Sequence, residues 1–177
     1  MTDHQEKRRA VVNEARTWIK TPYHHMGRVK GKDGGIDCAT FLLEVYERAG
    51  LIEHIETGNY SPDWYLHRDE EKYLEWILRF GVRVDHDWIG GRDEFLSVAI
   101  ASEPLLADVI LFRFGRCIAH GAIVTEWPMI IHSFRPIGMV VEENIDQNNH
   151  LRHIVPGGYI ESRFSGVFRF KDWVSNG

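Results

Sequence analysis

The strongest constraint on this chain is the run of strand-like segments in its second half. Asp108-Val109-Ile110-Leu111-Phe112-Arg113-Phe114, Ile118-Ala119-His120-Gly121-Ala122-Ile123-Val124 and Met129-Ile130-Ile131-His132-Ser133-Phe134 are rich in β-branched and aromatic residues and are broken by turn signals. Met139 to Glu142 and Gly166 to Phe170 read as further strands. The first half reads differently. From Thr2 to Lys20, Val11, Val12, Ala15, Trp18 and Ile19 form the apolar stripe of a helix that Pro22 stops. Glu70 to Arg79 predicts a short helix with Tyr73, Leu74, Trp76, Ile77 and Phe80 on its apolar side. Val82 to Ser102 carries little signal, with part of Asp93–Ala101 compatible with helix. Helices first and strands after, without regular alternation, predict an α+β fold whose N-terminal helices pack on a C-terminal antiparallel sheet.

At 177 residues the expectation is one domain, 1–177, large enough to bury a core without metal or disulfide support. A net charge of -5 gives no reason to expect nucleic acid as a partner. Two cysteines cannot make a disulfide framework, and the opening Met-Thr-Asp-His-Gln-Glu-Lys-Arg-Arg lacks the apolar centre of a signal peptide. No run approaches the roughly 20 apolar residues that span a bilayer. The expectation is synthesis in a reducing cytoplasm, with something other than an N-terminal signal delivering any protein that acts elsewhere.

Chemistry concentrates at Gly34-Gly35-Ile36-Asp37-Cys38-Ala39-Thr40-Phe41-Leu42-Leu43-Glu44-Val45-Tyr46. Phe41, Leu42, Val45, Tyr46 and Ala49 fit one helical face, Asp37 is a good N-cap, and Gly50 is a stop signal. Cys38 then lies in the first turn of a helix, where unpaired amides and the macrodipole favour a thiolate. The plainer alternative is a cysteine packed as a small hydrophobe. Ahead of it, Thr21 to Gly35 forms a long basic loop rich in histidine and glycine.

His120 and His132 lie in consecutive strands. A hairpin loop of odd length centred on Glu126 would set them directly opposite, with Cβ atoms roughly 4.5–5.5 Å apart; an even loop would remove the alignment. A cysteine nucleophile needs a base in reach and a third group to orient that base, and Cys38, His120 and His132 supply those roles in order. Zinc is the rival, since Cys38, Cys117, His120 and His132 make a Cys₂His₂ set. It ranks lower because positions three apart in a strand point to opposite faces, which leaves Cys117 as a packed strand-end residue. No cofactor is expected.

Thr21-Pro22-Tyr23, Asp37-Cys38, Ala107-Asp108-Val109-Ile110-Leu111-Phe112, His120-Gly121-Ala122-Ile123-Val124 and Ile131-His132-Ser133, taken in order, resemble the NlpC/P60 cysteine peptidases. The run through His24-His25-Met26-Gly27-Arg28, with Tyr60-Ser61-Pro62-Asp63-Trp64 and His67-Arg68-Asp69-Glu70-Glu71, is similar to the branch found in phage tails and gene-transfer particles. The resemblance implies a papain-like α+β fold and hydrolysis of amide bonds in peptidoglycan stem peptides. It implies Cys38 as nucleophile, His120 as general base and acid, and His132 as the residue orienting His120. Tyr23 matches the family tyrosine that helps place substrate, and Asp37 the acidic residue before the nucleophile. Arg28, Lys30 and Lys32, or His24 and His25, are candidates to hold substrate carboxylates, against an alternative as solvated loop charge. If the branch holds, tail proteins are expected partners and the particle tail brings the enzyme to the wall. Two other readings keep the same triad positions: an acyltransferase or amide hydrolase with a non-wall substrate, and a catalytically silent tail-tip protein.

Overall fold

The computed structural model describes residues 3–67, 69–85, 104–154 and 160–174. The candidate helix within Asp93–Ala101 lies outside them. Helix α1, Asp3–Arg16, carries Asp3 and Glu6 in its first turn and Arg16 in its last, matching the macrodipole, and buries Val11, Val12 and Ala15. It ends short of the expected Lys20. The amides of Thr17, Trp18 and Ile19 bond three residues back, and Lys20 adopts a left-handed φ of 69°. Trp18 still enters the core, fully buried.

The basic loop is more ordered than a connector. Arg28–Val29 (β1) pairs antiparallel with Gly35–Ile36 (β2). The hairpin closes only because residue 34 is glycine: a Cβ there would lie 2.1 Å from the Val29 carbonyl oxygen. Helix α2, Cys38–Arg48, follows at once. Its Phe41, Leu42, Leu43, Val45 and Tyr46 are all at most 1% exposed. At about 1.5–3 kcal/mol for each large apolar side chain buried, this face, rather than helix propensity, holds α2 in place. Helices α3, Trp64–His67, and α4, Lys72–Leu78, complete the helical half.

Strand β3, Gly81–Arg83, was not legible in the sequence. Next come β4 Val109–Phe114, β5 Cys117–Glu126, β6 Met129–Phe134, β7 Met139–Asn144, β8 Arg152–Ile154, β9 Ile160–Ser162 and β10 Phe164–Phe170. Six of these form one antiparallel sheet in the order β3-β10-β4-β5-β6-β7, so a strand from the helical half closes one edge of the expected C-terminal sheet. Strand alternation divides its side chains. Val109, Leu111, Ile123, Ile131 and Val140 pack toward α1, α2 and α4, while Ile110, Phe112, Ala122, Val124, Ile130 and Phe134 form a second cluster with Leu151 on the other face. Asp108 ties the ends of the chain together: its buried carboxylate meets Arg8 of α1 at 3.1 Å and Arg169 of β10 at 2.7 Å.

The β5–β6 hairpin departs from expectation. Glu126 pairs with Met129 across a loop of Trp127 and Pro128, so the loop is not an odd one centred on Glu126. Continued unbroken, that register would send His120 and His132 to opposite faces. A bulge at Thr125 shifts the pairing to Val124 with Ile130 and Ile123 with Ile131. The extra residue restores the shared face, with the two histidines diagonal rather than directly opposed.

Candidate active site

Asp37 and Thr40 close a reciprocal cap at the start of α2. The Asp37 carboxylate accepts from the amides of Ala39 and Thr40 at 3.1 and 2.9 Å, from the Met26 amide at 2.8 Å and from the Tyr60 hydroxyl at 2.6 Å. Asp37 is thus the N-cap that the sequence led one to expect, and its bonds to Met26 and Tyr60 make it the internal anchor of the first turn. His25 joins it, with Nε2 on the Tyr60 carbonyl at 2.7 Å. Tyr60 entered the sequence reading only as part of the Tyr60–Trp64 run, with no role of its own. Tyr73 donates to the Cys38 carbonyl at 2.9 Å.

Cys38 reaches strand β5 at a second bulge. Phe112 pairs with His120 and Arg113 with Ile118, leaving Ala119 as the extra residue, and the Cys38 thiol donates to the Ala119 carbonyl at 3.6 Å. The sulfur therefore rests against the peptide bond that leads into His120. Among the described residues its hydrogen bond is to that carbonyl and not to an imidazole. Burial raises the thiol well above its ordinary value, and the Asp37 charge pushes the same way. This runs against the expectation of a thiolate favoured by the helix start: burial first and the Asp37 charge second oppose the first-turn amides. Tyr23 lies close enough that burial first and the Cys38 charge second raise its phenol.

The two imidazoles do meet. His120 Nε2 and His132 Nδ1 are 2.8 Å apart, and His132 Nε2 is 2.8 Å from Glu143 Oε1. The His120 ring lies among Phe112, Phe114 and Phe134, and His132 stacks on Phe134 at 4.7 Å. Burial lowers His120 well below its ordinary value, with the His132 charge adding to it, and burial lowers His132 too. Asn148 donates to the same Glu143 oxygen. Glu143 was missed because the strand reading stopped one residue short of it, and Asn148 was read only as part of a polar connection.

Other candidates have different partners. Arg28 is bound to Glu44 at 2.9 Å and to the Ile55 carbonyl at 2.8 Å, so its guanidinium braces β1 against α2. Lys30 pairs with Glu14 at 2.6 Å. Cys117 is buried at the start of β5 with its sulfur toward the Tyr65 carbonyl, as a packed strand-end residue would be. Among the described residues the one grouping with metal-ligand spacing is Glu44, Glu47 and His54, which does not include the Cys₂His₂ set. Arg28 and Arg48 already neutralise Glu44 there.

An NlpC/P60 family protein from Bacillus cereus ATCC 10987 shares this architecture with a TM-score of 0.54 at 20% identity, over 92% of this chain and 40% of that one. NlpC1 from Trichomonas vaginalis gives 0.53 at 13% identity, over 90% of this chain and 45% of that one. The fold is that of the NlpC/P60 structures. The chain spans less than half the length of these two proteins. The NlpC/p60 domain of the peptidoglycan hydrolase SagA matches with a TM-score of 0.47 at 19% identity, over 78% of this chain and 90% of that one. No protein-family model matches the sequence. A comparison with curated proteins gave no match either.

Proposed function

We propose that the protein is a cysteine peptidase that hydrolyses amide bonds in peptidoglycan stem peptides, with Cys38, His120 and His132 as its catalytic residues. The observation that carries this reading is the 2.8 Å contact between His120 Nε2 and His132 Nδ1, on the strand whose preceding peptide receives the Cys38 thiol. The resemblance of the Asp37-Cys38 and His120-Gly121 motifs to the NlpC/P60 peptidases supplies the substrate class.

The resting pair is neutral. The thiol is protonated, and His120 is an uncharged imidazole able to accept a proton. Catalysis requires the thiol to release the Ala119 carbonyl at the β5 bulge and pass its proton to His120 as sulfur attacks the scissile carbonyl. Asp37 occupies the Ala39 and Thr40 amides, so the Cys38 amide is the helix-start donor left for the oxyanion. His120 then protonates the departing amine, leaving a thioester, and activates the water that cleaves it. Tyr23, near enough to Cys38 to feel its charge, is the residue that would help place substrate. The runs His24–Arg28 and Tyr60–Trp64 support a phage-tail or gene-transfer-particle branch, in which the particle delivers the enzyme to the wall.

A second reading, a catalytically silent tail-tip protein, is favoured by one observation: the sulfur bonds a carbonyl rather than an imidazole. Purified peptidoglycan incubated with the parent protein and with Cys38→Ala separates the two. Peptides released by the parent alone, identified by mass spectrometry, support the peptidase. Equal release, or none from either, overturns it.

A further inference from the structure

We infer that Glu143, held in place by Asn148, is a positioning residue that selects which nitrogen of His120 is left bare to act as the base. This rests on the catalytic reading of His120 but on different observations.

Glu143 stands opposite Ile130 on β7, diagonal to His132 and on the same face of the sheet. Burial would push its carboxyl up, but the hydrogen bonds from His132 and Asn148 outweigh that and leave it below its ordinary value. An ionised carboxylate has only lone pairs to offer, so His132 Nε2 must carry the hydrogen at their 2.8 Å contact. A neutral imidazole has one N–H. His132 Nδ1 is therefore an acceptor, and the 2.8 Å bond between the rings is donated by His120 Nε2. His120 Nδ1 is then bare, the state a general base requires.

The inter-ring bond alone cannot choose this direction. Reversed, with His132 Nδ1 donating, it has the same geometry but leaves the hydrogen on His120 Nδ1 and blocks uptake of the thiol proton. Only the carboxylate at the far end distinguishes the two. Its own orientation is set in turn. Asn148 Oδ1 accepts from the amides of His150 at 2.8 Å and Leu151 at 3.2 Å, so the amide nitrogen faces Glu143 Oε1.

The test is long-range ¹H–¹⁵N spectroscopy of the histidine-labelled full chain at pH 7, which needs no substrate. The parent should show the Nε2–H tautomer at both His120 and His132. Glu143→Ala should abolish that pattern. Glu143→Gln should restore it, because Asn148 holds the remaining amide oxygen toward His132. In peptidoglycan digestion Glu143→Ala should lose on the order of 10²–10⁴-fold in kcat with little change in KM. Unchanged tautomers in a folded Glu143→Ala protein would overturn the inference. If that variant fails to fold, an Nδ1–H signal at His120 of the parent overturns it instead, and Nε2–H at both rings sustains it. A parent that releases no peptides removes the proposed function, while the tautomers still judge Glu143.

Discussion

Cys38 shows how a local rule is overridden by close neighbours. Its place in the first turn of α2 was readable from Asp37 and the apolar spacing behind it, and a helix start alone would acidify a thiol. In the folded protein Asp37 has already taken two of the first-turn amides, and its own negative charge adjoins the half-buried Cys38. The thiol is therefore raised, and the sign has a direct consequence. Alkylation of Cys38 by iodoacetamide in the free protein should be at least roughly tenfold slower than that of free cysteine at pH 7, because each pKa unit removes tenfold of thiolate. The rate should still be climbing at pH 9. A plateau below pH 8 would show a thiolate–imidazolium pair at rest and refute the neutral-pair mechanism. Arg28 carries the same lesson: a basic loop residue looked available, but Glu44 and the Ile55 carbonyl occupy it.

The contact between β5 and α2 is where element packing governs the site. Gly121 follows His120 on the helix side of the strand. A Cβ there would lie 2.8 Å from Leu42 Cδ1, 2.8 Å from the Tyr73 hydroxyl and 3.0 Å from Leu111 Cδ2. The Leu42 methyl can rotate away. The Tyr73 hydroxyl is committed to the Cys38 carbonyl and cannot move freely. Gly121→Ala should therefore cost about 1–3 kcal/mol in urea denaturation and reduce peptide release as the first turn of α2 shifts. A cost below roughly 0.5 kcal/mol would mean that the helix sits more loosely on the strand than described. Strand existence was legible here: β6 spans Met129–Phe134 as read, and β5 exceeds its reading by a residue or two at each end. The bulges at Ala119 and Thr125 were not legible. Each adds one residue to one strand with no local signature, yet Thr125 decides whether the histidines share a face.

At the scale of the whole molecule, burial of ionisable groups makes stability depend on pH in a definite direction. The fold holds His120 and His132 neutral, whereas the unfolded chain protonates them below about pH 6.5. The unfolded state then binds more protons, so their stabilising contribution is complete above that pH and is lost as pH falls. Glu143, lowered below its ordinary 4.5, acts with the same sign further down. Cys38 and Tyr46 are raised by burial from 9.0 and 10.0, so their contribution is lost as pH rises past those values. The melting temperature should be highest between about pH 6.5 and 9 and fall by several degrees at pH 5, as differential scanning calorimetry would show. A flat profile between pH 7 and 5 would mean that water reaches the two imidazoles. The sequence by itself determined the helix-then-strand order, the cap and apolar face of α2, and the residue types able to do acyl-transfer chemistry, because periodicity and capping act within a turn or two of chain. Tertiary structure alone decided that His120 meets His132 and then Glu143, that Asp37 also binds Met26 and Tyr60, that Arg28 is an internal anchor, and that burial raises the Cys38 thiol. Those outcomes depend on strand register, on bulges and on charges brought close from distant positions, and none of these is written in any single segment.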